Sequence, residues 1–235
     1  MRYYQDFGDK ALSLSPAIFS LGFFDGLHLG HQHLLQRGRG LADSLGLPLA
    51  VMAFSSSEEP ALVTSYHKRQ LFERASVDIL IEVPLTKNFK ELSAKNFIEK
   101  LLRVVPIHTW VAGTDLRFGK DREGSCEFLA ERKDMQTLFI DRLQLDGEGV
   151  SSTKVRQLVL AGDLSQASVF LSRPYSFMAP ASPCGEFEIS HLCLPPRGDY
   201  AASVNGRPAT LRIGQTCYIL SDGPAFSSDI VEVTL

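Results

Sequence analysis

Short apolar runs alternate with helix-patterned segments as far as Arg173, and that alternation limits the possible folds more than any other feature of the chain. The runs are Ala17–Phe24, Leu47–Phe54, Ile79–Val83, Thr109–Ala112 and Thr137–Leu143. They are almost continuously apolar and mostly rich in β-forming residues, the pattern of strands covered on both faces. Between them His31–Leu45, Tyr66–Ala75, Ala94–Val104 and Cys126–Lys133 carry helical patterning, with Ser93 placed to cap the third helix and Pro106 to end it. Such alternation predicts a parallel sheet joined by right-handed crossovers, with helices on both faces. The expected class is therefore α/β.

Two short helices are expected next, Thr153–Leu160 and Leu164–Leu171. Gly162 can stop the first in a left-handed conformation, and Asp163 can cap the second. From Pro174 onward prolines and glycines crowd the chain. The runs Phe187–Ile189, Ala201–Val204, Leu211–Ile213, Cys217–Leu220 and Ile230–Val233 then predict a small antiparallel β module. The expected division is 1–175 and 176–235, with Pro180 and Pro183 as a linker.

The 235 residues suit one large domain, or one domain with a small appendage. A formal charge of −3 gives no basic surplus, so a nucleic-acid partner is not expected. No apolar stretch reaches transmembrane length, and Met1–Asp9 lacks the basic-then-apolar order of a secretory signal. A cytoplasmic protein without a membrane partner is expected, and its oligomeric state is left open. Cys126, Cys184, Cys193 and Cys217 form no Cys-x-x-Cys and are expected as reduced thiols. A zinc site from Cys184, His191, Cys193 and Cys217 is the alternative, with a spacing that matches no standard knuckle.

Chemistry concentrates first in Gly22-Phe23-Phe24-Asp25-Gly26-Leu27-His28-Leu29-Gly30-His31. A buried strand runs into a Gly-rich turn, and a helix starts where the turn ends. The helix N-terminus then presents unpaired N–H groups, which suit phosphate. Gly30 lets the backbone approach a ligand closely. His28 and His31 can donate hydrogen bonds, or positive charge, to phosphoryl oxygens. The implied reaction is transfer of a nucleotidyl group from a nucleoside triphosphate. The loop has no lysine, so it is not of the Walker type. Two plain surface histidines are the alternative; a zinc site would find only two ligands here.

The second constellation, Val111-Ala112-Gly113-Thr114-Asp115-Leu116-Arg117-Phe118-Gly119, follows a strand and should sit at its carboxyl end, where open parallel sheets bind ligands. Asp115 can hold Mg²⁺ or a ribose hydroxyl, and Phe118 offers an aromatic face; alternatively Asp115 caps a turn and Phe118 is core. In the third, Val150-Ser151-Ser152-Thr153-Lys154-Val155-Arg156, hydroxyls, free N–H groups and a guanidinium can converge on one anion. The alternative is an ordinary N-cap with a solvent-facing arginine. Each constellation is expected to follow a strand and to lie on one edge of the sheet.

In order and spacing these segments, with Gly162-Asp163-Leu164 and Ser172-Arg173-Pro174-Tyr175, resemble bacterial FAD synthetases, the FMN adenylyltransferase module of bifunctional riboflavin kinase/FMN adenylyltransferases. The resemblance runs from about Ile18 to Tyr175. It implies a Rossmann-like nucleotidyltransferase core that uses ATP, FMN and Mg²⁺. It implies catalytic roles for His28, His31 and Arg156, and ATP or phosphate contacts from Gly22, Phe23, Asp25, Gly30, Ser152 and Thr153. Flavin contacts would fall to Phe54, Arg117 and Phe118, and Mg²⁺ to Asp115. Asp25 is expected to orient a phosphate-side water or a turn amide, or to form a structural turn of its own. The chain departs from the family where a Phe-x-Pro-His-Pro-like segment is usual: here it reads Phe54-Ser55-Ser56-Ser57-Glu58-Glu59-Pro60. It also lacks the Pro-Thr-Ala-Asn of the kinase module, so the tail is read as a remnant without kinase chemistry. Other readings are the same transfer to another phosphate-bearing acceptor, and a non-catalytic flavin- or nucleotide-binding protein.

Overall fold

A computed structural model of the protein describes residues 1–5, 15–56, 58–180, 186–187, 191–214, 217–220 and 230–235, with 186–187 and 217–220 described by their backbone. Contacts divide the chain into two units: Met1–Phe24, Gly30–Ser56 and Leu71–Gly149 in the first, and Asp25–Leu29, Ser57–Gln70 and Val150–Leu235 in the second.

Among the described residues of the first unit, six strands form a wholly parallel sheet. They are β1 (Arg2–Gln5), β2 (Ala17–Gly22), β3 (Leu49–Ser55), β4 (Ile79–Pro84), β5 (Ile107–Gly113) and β6 (Gln136–Ile140). Helices α1 (Leu29–Leu45), α2 (Ser65–Arg74), α3 (Lys87–Lys90), α4 (Ala94–Val104) and α5 (Cys126–Ala130) fall between strands in the chain. The sheet order is β1-β4-β3-β2-β5-β6. From β2 the chain winds outward through β3 and β4, then returns to place β5 on the other side of β2. The direction of winding therefore reverses between β2 and β5, which pair through Ile18 with Thr109 and Phe19 with Trp110. Ala17–Leu21, Leu49–Phe54 and Ile79–Val83 are continuously buried, which explains why these strands read as apolar runs rather than alternating ones.

The core centres on Trp110, whose ring meets Phe19 edge-on at 5.2 Å. α4 closes it with Phe97, Ile98, Leu101 and Val104 on one buried face. As expected, Ser93 caps this helix by accepting the Asn96 N–H, and the helix stops before Pro106. β1 and α3 carry no sequence signal. Arg2-Tyr3-Tyr4-Gln5 is an edge strand with exposed ends, and four residues are too few to show a helical period. α5 is shorter than expected.

The second unit holds α6 (Ser152–Leu160), α7 (Leu164–Leu171) and an antiparallel sheet. Its described strands are β9 (Ser176–Pro180), β10 (Glu186–Phe187), β11 (Gly198–Val204), β12 (Arg207–Ile213), β13 (Cys217–Leu220) and β14 (Ile230–Thr234), in the order β10-β13-β12-β11-β14-β9. In the first unit, β7 (Gln144–Leu145) and β8 (Glu148–Gly149) pair as a small antiparallel hairpin. Phe177, Ala179, Val204, Leu211, Val231 and Val233 form the core of the antiparallel sheet. Gly162 takes a φ of 80° and Asp163 caps α7, both as expected. Pro180 is the last residue of β9 rather than part of a linker, because β9 pairs along its length with β14. Pro183 lies outside the described residues.

The fold class is the expected one, a Rossmann-like parallel sheet with a small antiparallel module. The strand expected at Thr137–Leu143 is β6, and the β7–β8 hairpin stands between it and Ser151. Cys126 and Cys193 are free and buried. Cys184 and the Cys217 side chain lie outside the described residues, and with them the zinc alternative. Among the described residues no helix is long and apolar enough to cross a membrane.

The cap and the core of α4 should separate cleanly in energy. Ser93→Ala is expected to cost about 1 kcal/mol, the value of one N-cap. Phe97→Ala, from the buried face, is expected to cost about 3–5 kcal/mol. Urea unfolding of the full chain measures both.

Candidate active site

In an open parallel sheet the ligand crevice lies beyond the carboxyl ends of the strands where winding reverses. Here those ends are Gly22 of β2 and Gly113 of β5. Phe23, just past β2, is 48% exposed, and its ring tilts over Phe54 at 6.0 Å. Phe54 is itself buried and backed by Phe89 at 5.2 Å. Phe23 is therefore the open aromatic face at this edge, and Phe54 supports it. Phe118 is buried against Trp110 at 5.7 Å and Phe97 at 5.6 Å. Of the two readings the sequence left open for Phe118, the structure has the core one.

Past β5 the chain turns tightly, with the Leu116 N–H donating to the Gly113 carbonyl at 3.0 Å, while the Thr114 N–H extends the pairing with β6 by donating to the Ile140 carbonyl at 3.0 Å. Asp115 and Arg117 are exposed. A Cβ on Gly113 would lie 2.8 Å from Asp115 Oδ1, so glycine keeps that carboxylate close to the strand end. Arg117 donates to the Leu116 carbonyl at 2.7 Å. Cys126 Sγ donates to the Gly113 carbonyl at 3.3 Å, and burial pushes this thiol up from its ordinary value.

The turn that follows β2 is strained. Phe24, Gly26 and Leu27 have φ of 50°, 73° and 42°. Bulky side chains rarely adopt this region, at a cost of roughly 1–2 kcal/mol per residue. Such conformations persist where the surroundings over-determine them, and they cluster at functional sites. The turn delivers His28 immediately before α1, and Gly30 and His31 into its first turn. The His31 ring packs on Phe24 at 5.1 Å. His28 is buried.

The second unit shows what holds the middle of that turn. The Asp25 carboxylate accepts the Leu62 N–H, at 2.9 and 3.1 Å to its two oxygens, and Arg156 Nη2 at 3.2 Å. The Asp25 carbonyl accepts Ser152 Oγ at 2.8 Å, and the Gly26 carbonyl accepts Arg173 Nη2 at 2.8 Å. Burial raises the Asp25 carboxyl above the usual carboxylate range. The Lys68 charge, the Leu62 N–H and Arg156 act in the opposite direction. Lys68 is itself buried. Arg156 also donates from Nε to the Pro60 carbonyl at 2.9 Å and pairs through Nη1 with Glu59 at 2.7 Å. Behind it the Tyr175 hydroxyl, fully buried, is shared between the carbonyls of Leu62 and Cys193. Burial pushes the Cys193 thiol up to about 12, so it stays protonated at neutral pH.

Asp25 thus orients a turn amide, but one 37 residues away in sequence. Ser151 is the cap of α6, accepting the Lys154 N–H, and the Ser152 hydroxyl is spent on Asp25. Thr153 is exposed at the helix start. Sequence reasoning missed Glu59, Lys68 and the Tyr175 hydroxyl as members of this cluster. Their contacts are long-range and leave no local pattern.

The FAD synthetase family model matches residues 11–154. A bifunctional riboflavin kinase/FMN adenylyltransferase of Listeria monocytogenes is 31% identical over 173 residues, which are 68% of this chain and 54% of that protein. One from Haemophilus influenzae is 34% identical over 175 residues, 69% of this chain and 57% of that protein. The chain thus spans about half the length of these curated relatives. Among solved structures, a macrolide-efflux protein from Streptococcus pneumoniae shares the fold, with a TM-score of 0.84 at 20% identity, covering 100% of this chain and 90% of that one.

The close fit around the turn makes a sharp prediction. A Cβ on Gly26 would fall 2.8 Å from Leu62 Cδ1 in a left-handed backbone. Gly26→Ala is expected to destabilise the protein by about 2–4 kcal/mol, adding αL strain to overpacking. The urea midpoint of the variant measures this; an unchanged midpoint would show that the turn is loosely held.

Proposed function

The chain belongs to the FAD synthetase family, and from that membership we propose that it transfers the AMP part of ATP to FMN, forming FAD and pyrophosphate. The observation that carries this reading is the strained Phe24–Leu27 turn that follows β2, the strand where the sheet reverses, and leads into His-x-Gly-His at the start of α1. An FMN phosphate oxygen attacks the α-phosphorus of ATP in line. The bond from that phosphorus to the bridging oxygen breaks, and its electron pair leaves with pyrophosphate. The attacking monoester is already anionic, so no strong base is required, and catalysis rests on positioning and charge stabilisation.

In this reading His28 and His31 donate to the α- and β-phosphates as charge shifts onto the leaving group. Gly30 and the N–H groups at the start of α1 lie against phosphate. Arg156, with Thr153 and the N–H groups at the start of α6, holds the departing pyrophosphate. Ser152 and Asp25 act by positioning: each is bonded within the cluster that fixes the turn. Phe23, backed by Phe54 beyond Gly22, stacks on a substrate ring, and Arg117 is exposed on the β5 side for the flavin.

Mg²⁺ favours one or two carboxylates together with substrate phosphates and retained waters. Asp115, exposed at the strand end and given room by Gly113, fits that donor set. Among the described residues no cluster of three or more His, Cys, Asp or Glu could hold a metal alone, so the phosphates would complete the shell. When bound, Mg²⁺ supplies neutralisation of phosphate charge.

We also propose a division of labour in which residues 1–175 carry adenylyl transfer and residues 176–235 carry no riboflavin kinase chemistry. The missing Pro-Thr-Ala-Asn supports this.

The purified protein with ATP, Mg²⁺ and FMN should yield FAD and pyrophosphate in equal amounts. Riboflavin in place of FMN should yield no flavin product. FMN formed from riboflavin would overturn the division of labour. Turnover only with another phosphate-bearing acceptor, or nucleotide binding without turnover, would overturn the assignment. His31→Ala should lower kcat by about 10²–10³-fold, the usual cost of one transition-state donor. A variant with near-normal kcat would make His31 structural.

A further inference from the structure

Arg156 is already fully engaged at all three edges of its guanidinium. Nε donates to the Pro60 carbonyl at 2.9 Å, Nη2 to Asp25 at 3.2 Å, and Nη1 pairs with Glu59 at 2.7 Å. These partners differ in how firmly they are held. The Asp25 side chain is only 14% exposed and is fixed by the Leu62 N–H. Glu59, which pairs with Arg156, is 65% exposed. It stands in the segment where this chain departs from the family's usual Phe-x-Pro-His-Pro. An incoming phosphate oxygen carries the same sign of charge and seeks the same N–H geometry as the Glu59 carboxylate. The partner that can leave is therefore the one on Nη1.

We propose that Glu59 is a tethered competitor for the anion site of Arg156, holding the Nη1 edge until a nucleotide phosphate displaces it and retaking it as pyrophosphate leaves. This rests on the reading that Arg156 binds the pyrophosphate end of ATP. The competitor is intramolecular, so it is present at constant effective concentration whatever the substrate level. It weakens phosphate binding and speeds release. Its size is bounded by the worth of an exposed ion pair, which corresponds to about two- to fivefold in a dissociation constant. Asp25 does not exchange in this way. Its burial and its bond to the Leu62 amide keep it in place, and through it Arg156 stays aimed while Nη1 changes partner.

The test compares binding of magnesium pyrophosphate to the native chain, Glu59→Gln and Glu58→Gln by titration calorimetry, with the ATP KM for FAD formation measured alongside. Both acids are on the surface, so both variants should fold. Glu59→Gln is expected to lower the pyrophosphate dissociation constant and the ATP KM about two- to fivefold, with Glu58→Gln near native. Glu58 carries the same charge change one residue away, so an equal effect in both variants would mean general electrostatics and overturn the proposal. Unchanged or weaker binding in Glu59→Gln would also overturn it. Arg156→Lys reports on the underlying reading. If that variant binds pyrophosphate as the native chain does, both readings fall. If it binds more weakly while Glu59→Gln is no tighter than native, the competitor alone falls.

Discussion

Asp25 is an acid that burial disfavours, and the surroundings of the turn are arranged around keeping it satisfied. Its carboxylate takes the Leu62 amide and one edge of Arg156, while its backbone carbonyl takes the Ser152 hydroxyl. Three stretches far apart in sequence, beginning at residues 25, 59 and 151, are tied together by one residue. Removing a single partner from such a buried pair leaves an uncompensated charge, typically at a cost of about 3–5 kcal/mol. The Lys68 charge nearby softens the burial of Asp25 without cancelling it.

That anchoring explains how the turn tolerates its backbone. Phe24 and Leu27 sit at positive φ without being glycine, so something must hold them there. On one side Phe24 is buried against Phe72 at 5.5 Å and against His31. In the middle, the Asp25 and Gly26 carbonyls are held by Ser152 and Arg173. A histidine that follows such a turn has little freedom of position, which is what a donor aimed at developing charge needs. The same arrangement limits Arg156. Its Nε and Nη2 edges are bonded to the Pro60 carbonyl and the buried Asp25, and its Nη1 edge pairs with the exposed Glu59.

Much of the parallel sheet was legible because strands buried on both faces are apolar throughout, as in Leu49–Phe54 and Ile79–Val83. The caps Ser93 and Asp163 and the left-handed Gly162 were legible because each acts on its own neighbours. β1 was not, since an edge strand of Arg-Tyr-Tyr-Gln shows no buried run, and β9 was not, since its terminal proline reads as a breaker. At the site, the histidines and Arg156 stood out by motif. The contacts that hold them did not. Phe118 and Phe23 are both aromatics beside a glycine, and only packing shows that the first is core and the second exposed. Glu59 joins the Asp25 cluster through Arg156, and Lys68 acts on it as a nearby charge, each from a distant part of the sequence, and no local pattern announces such contacts.

The chemistry turns on which phosphorus is attacked and what leaves. Following the label from ATP radiolabelled on its α-phosphate, and in a parallel reaction on its γ-phosphate, with FMN as acceptor decides this most directly. Adenylyl transfer puts the α label into FAD and the γ label into pyrophosphate. A γ label on a flavin product, or an α label that never reaches one, would contradict it.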